Sequence, residues 1–107
     1  KRQDLRAAYP PQVHPVVRTH PETGDKHLFV NKVFTTRILG LPEDEAARLL
    51  AELLDRVKTP EYQVRFRWTP NAIVFWDNRA TQHYATLDYW PQERIVERVT
   101  IKGDKPF

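Results

Sequence analysis

The chain has 107 residues, 40% hydrophobic and 29% charged, with a formal charge of +3. That is enough for one modest domain, in which surface outweighs core. Acids and bases are interleaved, which disfavours a phosphate-tracking surface; there is no cysteine for a disulfide or thiolate site, and no apolar run approaches the ~18 residues of a membrane span.

Lys1 to Ala8 reads as helical or frayed, ending at Tyr9-Pro10-Pro11. Val13 to Thr19 is a short extended run, Pro21 to Asp25 is turn chemistry with Gly24 free to take positive φ, and His27 to Asn31 returns. Residues 13 to 31 are therefore expected to form a hairpin. Phe34 to Leu39 reads as loop or strand. The clearest helix runs from about Pro42 to Lys58. Pro42 suits a first helical position, and Glu43, Asp44 and Glu45 suit the positive end of the helix dipole. Ala46, Leu49, Leu50, Leu53, Leu54 and Val57 recur at helical spacing as one apolar stripe, and Thr59-Pro60 stops the helix.

Beyond the helix the pattern is β-like. Gln63 to Trp68 alternates, with Val64, Phe66 and Trp68 opposite Arg65 and Arg67. Thr69-Pro70-Asn71 is a turn, and Ala72 to Trp76 has the continuous apolar character of a buried strand. Arg94 to Lys102 alternates again. Arg94, Val96, Arg98 and Thr100 share one face, and Ile95, Glu97, Val99 and Ile101 the other. The two arginines then stand roughly 13 Å apart along one face of an extended strand. Such a face is either solvated surface or a pocket wall for anions, since guanidinium offers paired donors in one plane. The fold class expected is mostly β with one main helix.

The segment Trp76 to Ala85 carries an apolar run into a polar loop that delivers His83, an imidazole suited to Fe(II) or to a structural role. The whole run Phe75-Trp76-Asp77-Asn78-Arg79-Ala80-Thr81-Gln82-His83-Tyr84-Ala85 resembles the C-terminal signature of the taurine dioxygenase family. So do Asp88-Tyr89, Pro91-Gln92, Arg94 through Arg98 and the closing Gly103 to Phe107. Upstream, His14 to Pro21, Leu28-Phe29-Val30-Asn31 and Phe34-Thr35-Thr36-Arg37 are similar as well.

The resemblance implies part of a double-stranded β-helix (jelly-roll) fold, with residues 1–107 as the C-terminal portion of one domain. It implies Fe(II) held by two histidines and a carboxylate, with 2-oxoglutarate and O2 as cosubstrates. The reaction implied is hydroxylation of the carbon beside a sulfonate, giving succinate, CO2, sulfite and an aldehyde from a taurine-like substrate. An alkyl sulfate or a carboxylate are alternative substrates. His83 matches the distal histidine ligand, Arg94 the arginine that pairs with the far carboxylate of 2-oxoglutarate, and Arg98 the arginine that holds the substrate anion. Phe34 matches an aromatic wall near the substrate, and Trp76 is expected close to the metal.

The family's other two ligands come as His-x-Asp upstream of the distal histidine. Only His20-Pro21-Glu22 offers that spacing here, within a turn-like segment that matches a different part of the family pattern. His14 and His20 cannot share a metal from one straight strand, because six residues span about 20 Å. Asp77, His83 and Asp88 have acceptable ligand types, but the resemblance places only His83 at the iron. The 107 residues alone are therefore expected to bind iron poorly and to be inactive. The absence of methionine and the start at Lys1 point to a processed or truncated product. The complete protein is expected to be cytoplasmic and homo-oligomeric, without nucleic-acid or membrane partners. The alternative of another class is a small basic nucleic-acid-binding module using Arg65, Arg67, Arg94 and Arg98. A further alternative is a non-catalytic scaffold of the same fold.

Overall fold

The computed structural model describes residues 8–107; most of the helix expected at the N-terminus lies outside the described residues. Val17–Thr19 (β1) and Lys26–Leu28 (β2) pair antiparallel, with Val17 opposite Leu28, Arg18 opposite His27 and Thr19 opposite Lys26. This is the hairpin expected from the sequence, with shorter strands. Gly24 closes its turn at φ 77°, a left-handed conformation that glycine adopts without a Cβ penalty. The connection is tightened by the His20 N–H to Asp25 carbonyl bond (2.8 Å) and the Gly24 N–H to His20 carbonyl bond (2.9 Å). On the other side of β1, the Thr19 N–H donates to the Phe107 carbonyl at 2.7 Å.

Phe34 to Leu39 is loop. Its first turn is built on Asn31, whose Oδ1 accepts the Val33 and Phe34 N–H groups at 2.7 and 3.2 Å. The helix α1 spans Glu43–Asp55 and continues as a 3-10 turn over Arg56–Lys58. Pro42 takes the N-cap place, so the helix begins one residue later than expected; its ψ is 147°, and its carbonyl accepts the Ala46 N–H at 2.9 Å. Glu43, Asp44 and Glu45 occupy the first turn, where carboxylates face the positive end of the dipole. Exposed pairs Arg48–Asp44 and Arg56–Glu52 follow the i, i+4 spacing and add little each. Of the apolar stripe, Ala46 is buried and Leu50, Leu53 and Leu54 are half-buried, while Leu49 and Val57 remain exposed. The loop Thr36–Leu41 runs beside that stripe and leaves an apolar groove lined by Ile38, Leu41, Ala46, Leu50 and Leu54. No helix among the described residues is long and apolar enough to cross a membrane.

The expected strands at 63–68, 72–76 and 94–102 do not form among the described residues, where β1 and β2 make up the whole sheet. The mostly-β expectation is corrected accordingly: the described residues hold more helix than strand. The reason is physical. A strand is stabilised by cross-strand neighbours, and residues 93–106 make no backbone–backbone hydrogen bond among the described residues. The local chemistry of these segments still follows the sequence. The Phe66 and Trp68 rings meet edge to face at 5.3 Å, as two residues on one face should. The Thr69-Pro70-Asn71 turn closes through the Ala72 N–H to Thr69 carbonyl bond at 3.1 Å, with Asn71 at φ 61°.

The surface area is 10723 Å², against roughly 6,200 Å² for a folded monomer of this size. The radius of gyration is 16.6 Å, against about 13 Å for a close-packed chain of similar length. Among the described residues the buried ones are few and local: Val30, Ala46, Arg18 and His20. Three of these four belong to the hairpin and its continuation, which marks that region as the packed part of the molecule.

Candidate functional site

The hairpin packs against the loop that follows Trp76, and polar side chains make the joint. Asp77 is its centre. The Asp77 carbonyl accepts the Ala80 and Thr81 N–H groups at 3.3 and 3.0 Å, and the Thr81 hydroxyl at 2.6 Å. Its Oδ1 accepts the Arg79 N–H at 2.8 Å, an Asx-type turn that holds the loop in shape. The Arg79 guanidinium grips the same carboxylate as a fork, Nε to Oδ1 at 2.9 Å and Nη2 to Oδ2 at 2.9 Å. The Arg79 fork and the His20 contact hold Asp77 well below the usual carboxylate range, and Asp77 in turn raises Arg79.

His20 is buried, and both of its ring nitrogens are committed. Nδ1 accepts the backbone N–H groups of Glu22 and Thr23 at 3.1 and 3.2 Å. The ring proton therefore sits on Nε2, which donates to Asp77 Oδ2 at 2.8 Å. No lone pair is left for a metal, so the His-x-Glu spacing at His20 and Glu22 serves the turn. His27 is also engaged: its Nε2 donates to the Arg79 carbonyl. Beside it, the buried Arg18 guanidinium lies over the Phe29 ring at 4.9 Å.

The loop then delivers His83. The His83 ring lies against the Trp76 indole, with centroids 4.9 Å apart and planes tilted by 48°. The Trp76 Nε1–H is satisfied by Asn78 Oδ1 at 2.8 Å, which fixes the indole on the same turn. His83 is exposed and makes no hydrogen bond or ion pair among the described residues. It thus differs from His20, both of whose ring nitrogens are in use, and from His27, whose Nε2 is. Trp76 and His83, which the resemblance associates with the metal, have their rings in contact. No group of three histidine or carboxylate side chains among the described residues is arranged to hold a metal, so His83 stands as a single ligand type.

The remaining predicted residues are placed separately. Arg94 lies over the Tyr89 ring at 6.0 Å, and Arg98 is exposed. Neither is in an ion pair among the described residues, whereas Arg65 is tied to Asp88. The Thr86 hydroxyl, at 2.7 Å, and Arg65 together lower Asp88. Phe34 is 82% exposed at the Asn31 turn, with an open aromatic face.

The Asp77 joint is not evident from the amino-acid sequence. Its local half was signalled by Asp77-Asn78-Arg79, a turn-forming series in which aspartate caps its own backbone. Its distant half was not, since His20 and Asp77 are separated by 57 residues.

Residues 1–100 match the family model described as taurine catabolism dioxygenase TauD, TfdA family. The chain belongs to that family. Among TauD-type relatives, the chain is 46% identical over 93 residues to an alpha-ketoglutarate-dependent sulfate ester dioxygenase of Pseudomonas putida, covering 87% of this chain and 31% of that one. It is 44% identical over 91 residues to an alkylsulfatase of Acinetobacter baylyi, covering 85% of this chain and 28% of that protein. It is 38% identical over 96 residues to an alpha-ketoglutarate-dependent sulfonate dioxygenase of Saccharomyces cerevisiae, covering 88% and 23% respectively. The chain thus spans between about a quarter and a third of the length of these relatives.

Proposed function

We propose that this chain is the C-terminal part of a jelly-roll, Fe(II)- and 2-oxoglutarate-dependent dioxygenase that acts on a small organic substrate bearing a sulfur–oxygen anion. The observation that carries the reading is His83. It is the histidine of the Trp76–Ala85 signature, it leans on the Trp76 indole at 4.9 Å, and its ring nitrogens are not engaged by the described residues. A neutral imidazole with a free lone pair fits one place in a two-histidine, one-carboxylate iron site. The other two ligands would come from residues this chain does not hold. Iron(II) there would supply the redox chemistry that couples oxidation of 2-oxoglutarate to succinate and CO2 with oxygen insertion into the substrate.

The residues of this chain bind and orient. Arg94 pairs with the far carboxylate of 2-oxoglutarate, and Arg98 with the substrate anion. Guanidinium suits both, since its planar donors meet two oxygens of one group. Phe34 offers an aromatic wall to the substrate carbon chain, and Trp76 covers one side of His83 and limits water there. A taurine-like sulfonate is the substrate we favour within this class, with sulfite and an aldehyde as products. Sulfate esters present the same anion one oxygen further along, and the names of the relatives span both.

The test is a screen of the complete enzyme that follows succinate formation with sulfonates, alkyl sulfates and carboxylates. Succinate that depends on iron and on a sulfonate or sulfate supports the reading. Turnover only with carboxylates would overturn the substrate class, and retention of turnover in His83→Ala would overturn the site.

A further inference from the structure

Four side-chain contacts tie the hairpin to the His83 loop, each between residues 52 to 57 positions apart. They are His20 to Asp77 at 2.8 Å, Arg79 to Glu22 at 3.6 Å, His27 to the Arg79 carbonyl, and the Gln82 amide to the Val30 carbonyl at 2.6 Å. The last comes from the residue next to His83 and ends on Val30, which is among the most buried residues described. Both ends of the loop segment 77–82 are therefore fastened to the hairpin. Asp77 and Arg79 each serve both local shape and long-range attachment, and Asp77 is the acceptor that His20 and Arg79 share.

We propose that Asp77 is a positioning residue for His83, acting through His20 and Arg79, and that the buried hairpin is the platform against which the ligand loop is set. This inference rests on the reading of His83 as a metal ligand. The physical basis is directional. A metal–imidazole bond tolerates only small displacement, and among the described residues His83 makes no hydrogen bond that would hold its ring. Its orientation must come from the loop backbone and from Trp76, which the same turn fixes through Asn78. Removing the Asp77 charge leaves the buried His20 Nε2–H and the Arg79 fork competing for one remaining acceptor, and the attachment at the Asp77 end of the loop is weakened without any change to a ligand-touching side chain.

The experiment uses the complete enzyme and Co2+ as the probe metal, with its Kd measured by calorimetry. The His83 ring is followed by imidazole 15N NMR, well below the melting temperature. Asp77→Asn and His20→Ala are expected to raise the Co2+ Kd by roughly tenfold or more and to broaden or shift the His83 ring signals in the metal-free protein. His20→Gln, whose amide Nε2–H donates toward Asp77, is expected to recover part of the affinity. His83→Ala sets the scale. Wild-type Co2+ affinity in Asp77→Asn and His20→Ala, with affinity lost in His83→Ala, overturns the positioning role and leaves the ligand reading standing. Equal loss in His20→Gln and His20→Ala also overturns it. Retained affinity in His83→Ala removes both. Should Asp77→Asn fail to fold, the comparison of His20→Gln with His20→Ala decides alone.

Discussion

On the proposed roles, replacing Arg98 by alanine in the complete enzyme should separate substrate binding from cosubstrate binding. Arg98 is exposed and in no ion pair among the described residues, so its removal dismantles no internal network. The loss is then confined to what the guanidinium gives a ligand. Charge-assisted hydrogen bonds contribute about 1.5–3 kcal/mol each, and every 1.4 kcal/mol is tenfold in affinity. Loss equivalent to one such bond raises the substrate KM by roughly 10- to 150-fold, and the KM for 2-oxoglutarate should stay within about threefold. Arg94→Ala should show the reverse pattern. It also forfeits the contact with Tyr89 at 6.0 Å, worth about 0.5–1 kcal/mol at an exposed site. The assay is initial-rate succinate formation with each substrate varied against saturating partner. Equal increases in both KM values for Arg98→Ala would refute the division of labour between the two arginines.

Other outcomes are expected from the same geometry. The 107 residues alone, given iron, 2-oxoglutarate and substrate, should form no succinate above a no-protein control; measurable turnover would show that His83 does not need the two further ligands. Asp77 is held low by Arg79 and His20, so its contribution to stability is fully present above the ordinary aspartate pKa of about 4. It is lost as pH falls from there through the depressed folded value; Asp77→Asn should therefore lower stability at neutral pH and flatten the acid limb of a melting-temperature profile. Gly24 sits at φ 77° with open space around it. Gly24→Ala should accordingly cost about 1 kcal/mol from backbone strain alone, read by thermal unfolding of the complete protein, with Gly24→Asn milder.

What could be read in the sequence follows from range of interaction. The hairpin was legible because Gly24 and the polar residues around it encode a turn locally. The helix was legible because its acidic first turn, apolar stripe and Thr59-Pro60 stop lie within one stretch of chain. Trp76 and His83 stood out through the family resemblance of the run that holds them; their spacing alone does not state that the rings meet. The segments containing Val64, Ile73 and Val99 were less so, since alternation states which faces a strand would have but not whether a neighbour exists to pair it. The His20–Asp77 contact was not legible either: histidine six residues from another histidine and two from a glutamate drew attention as a metal spacing. Only burial and the orientation of its two ring nitrogens reveal a hydrogen-bonding role.

The unpaired segments carry a further consequence. Val64, Ile73 and Val99 are 97%, 94% and 95% exposed, and backbone groups without ladder partners lie alongside such side chains. Free strand-forming backbone with apolar flanks is a template for a second chain as readily as for its own fold. Left without neighbouring strands, this polypeptide would tend to pair with copies of itself. Its solubility, more than its chemistry, would then depend on having the right strands beside it from the start.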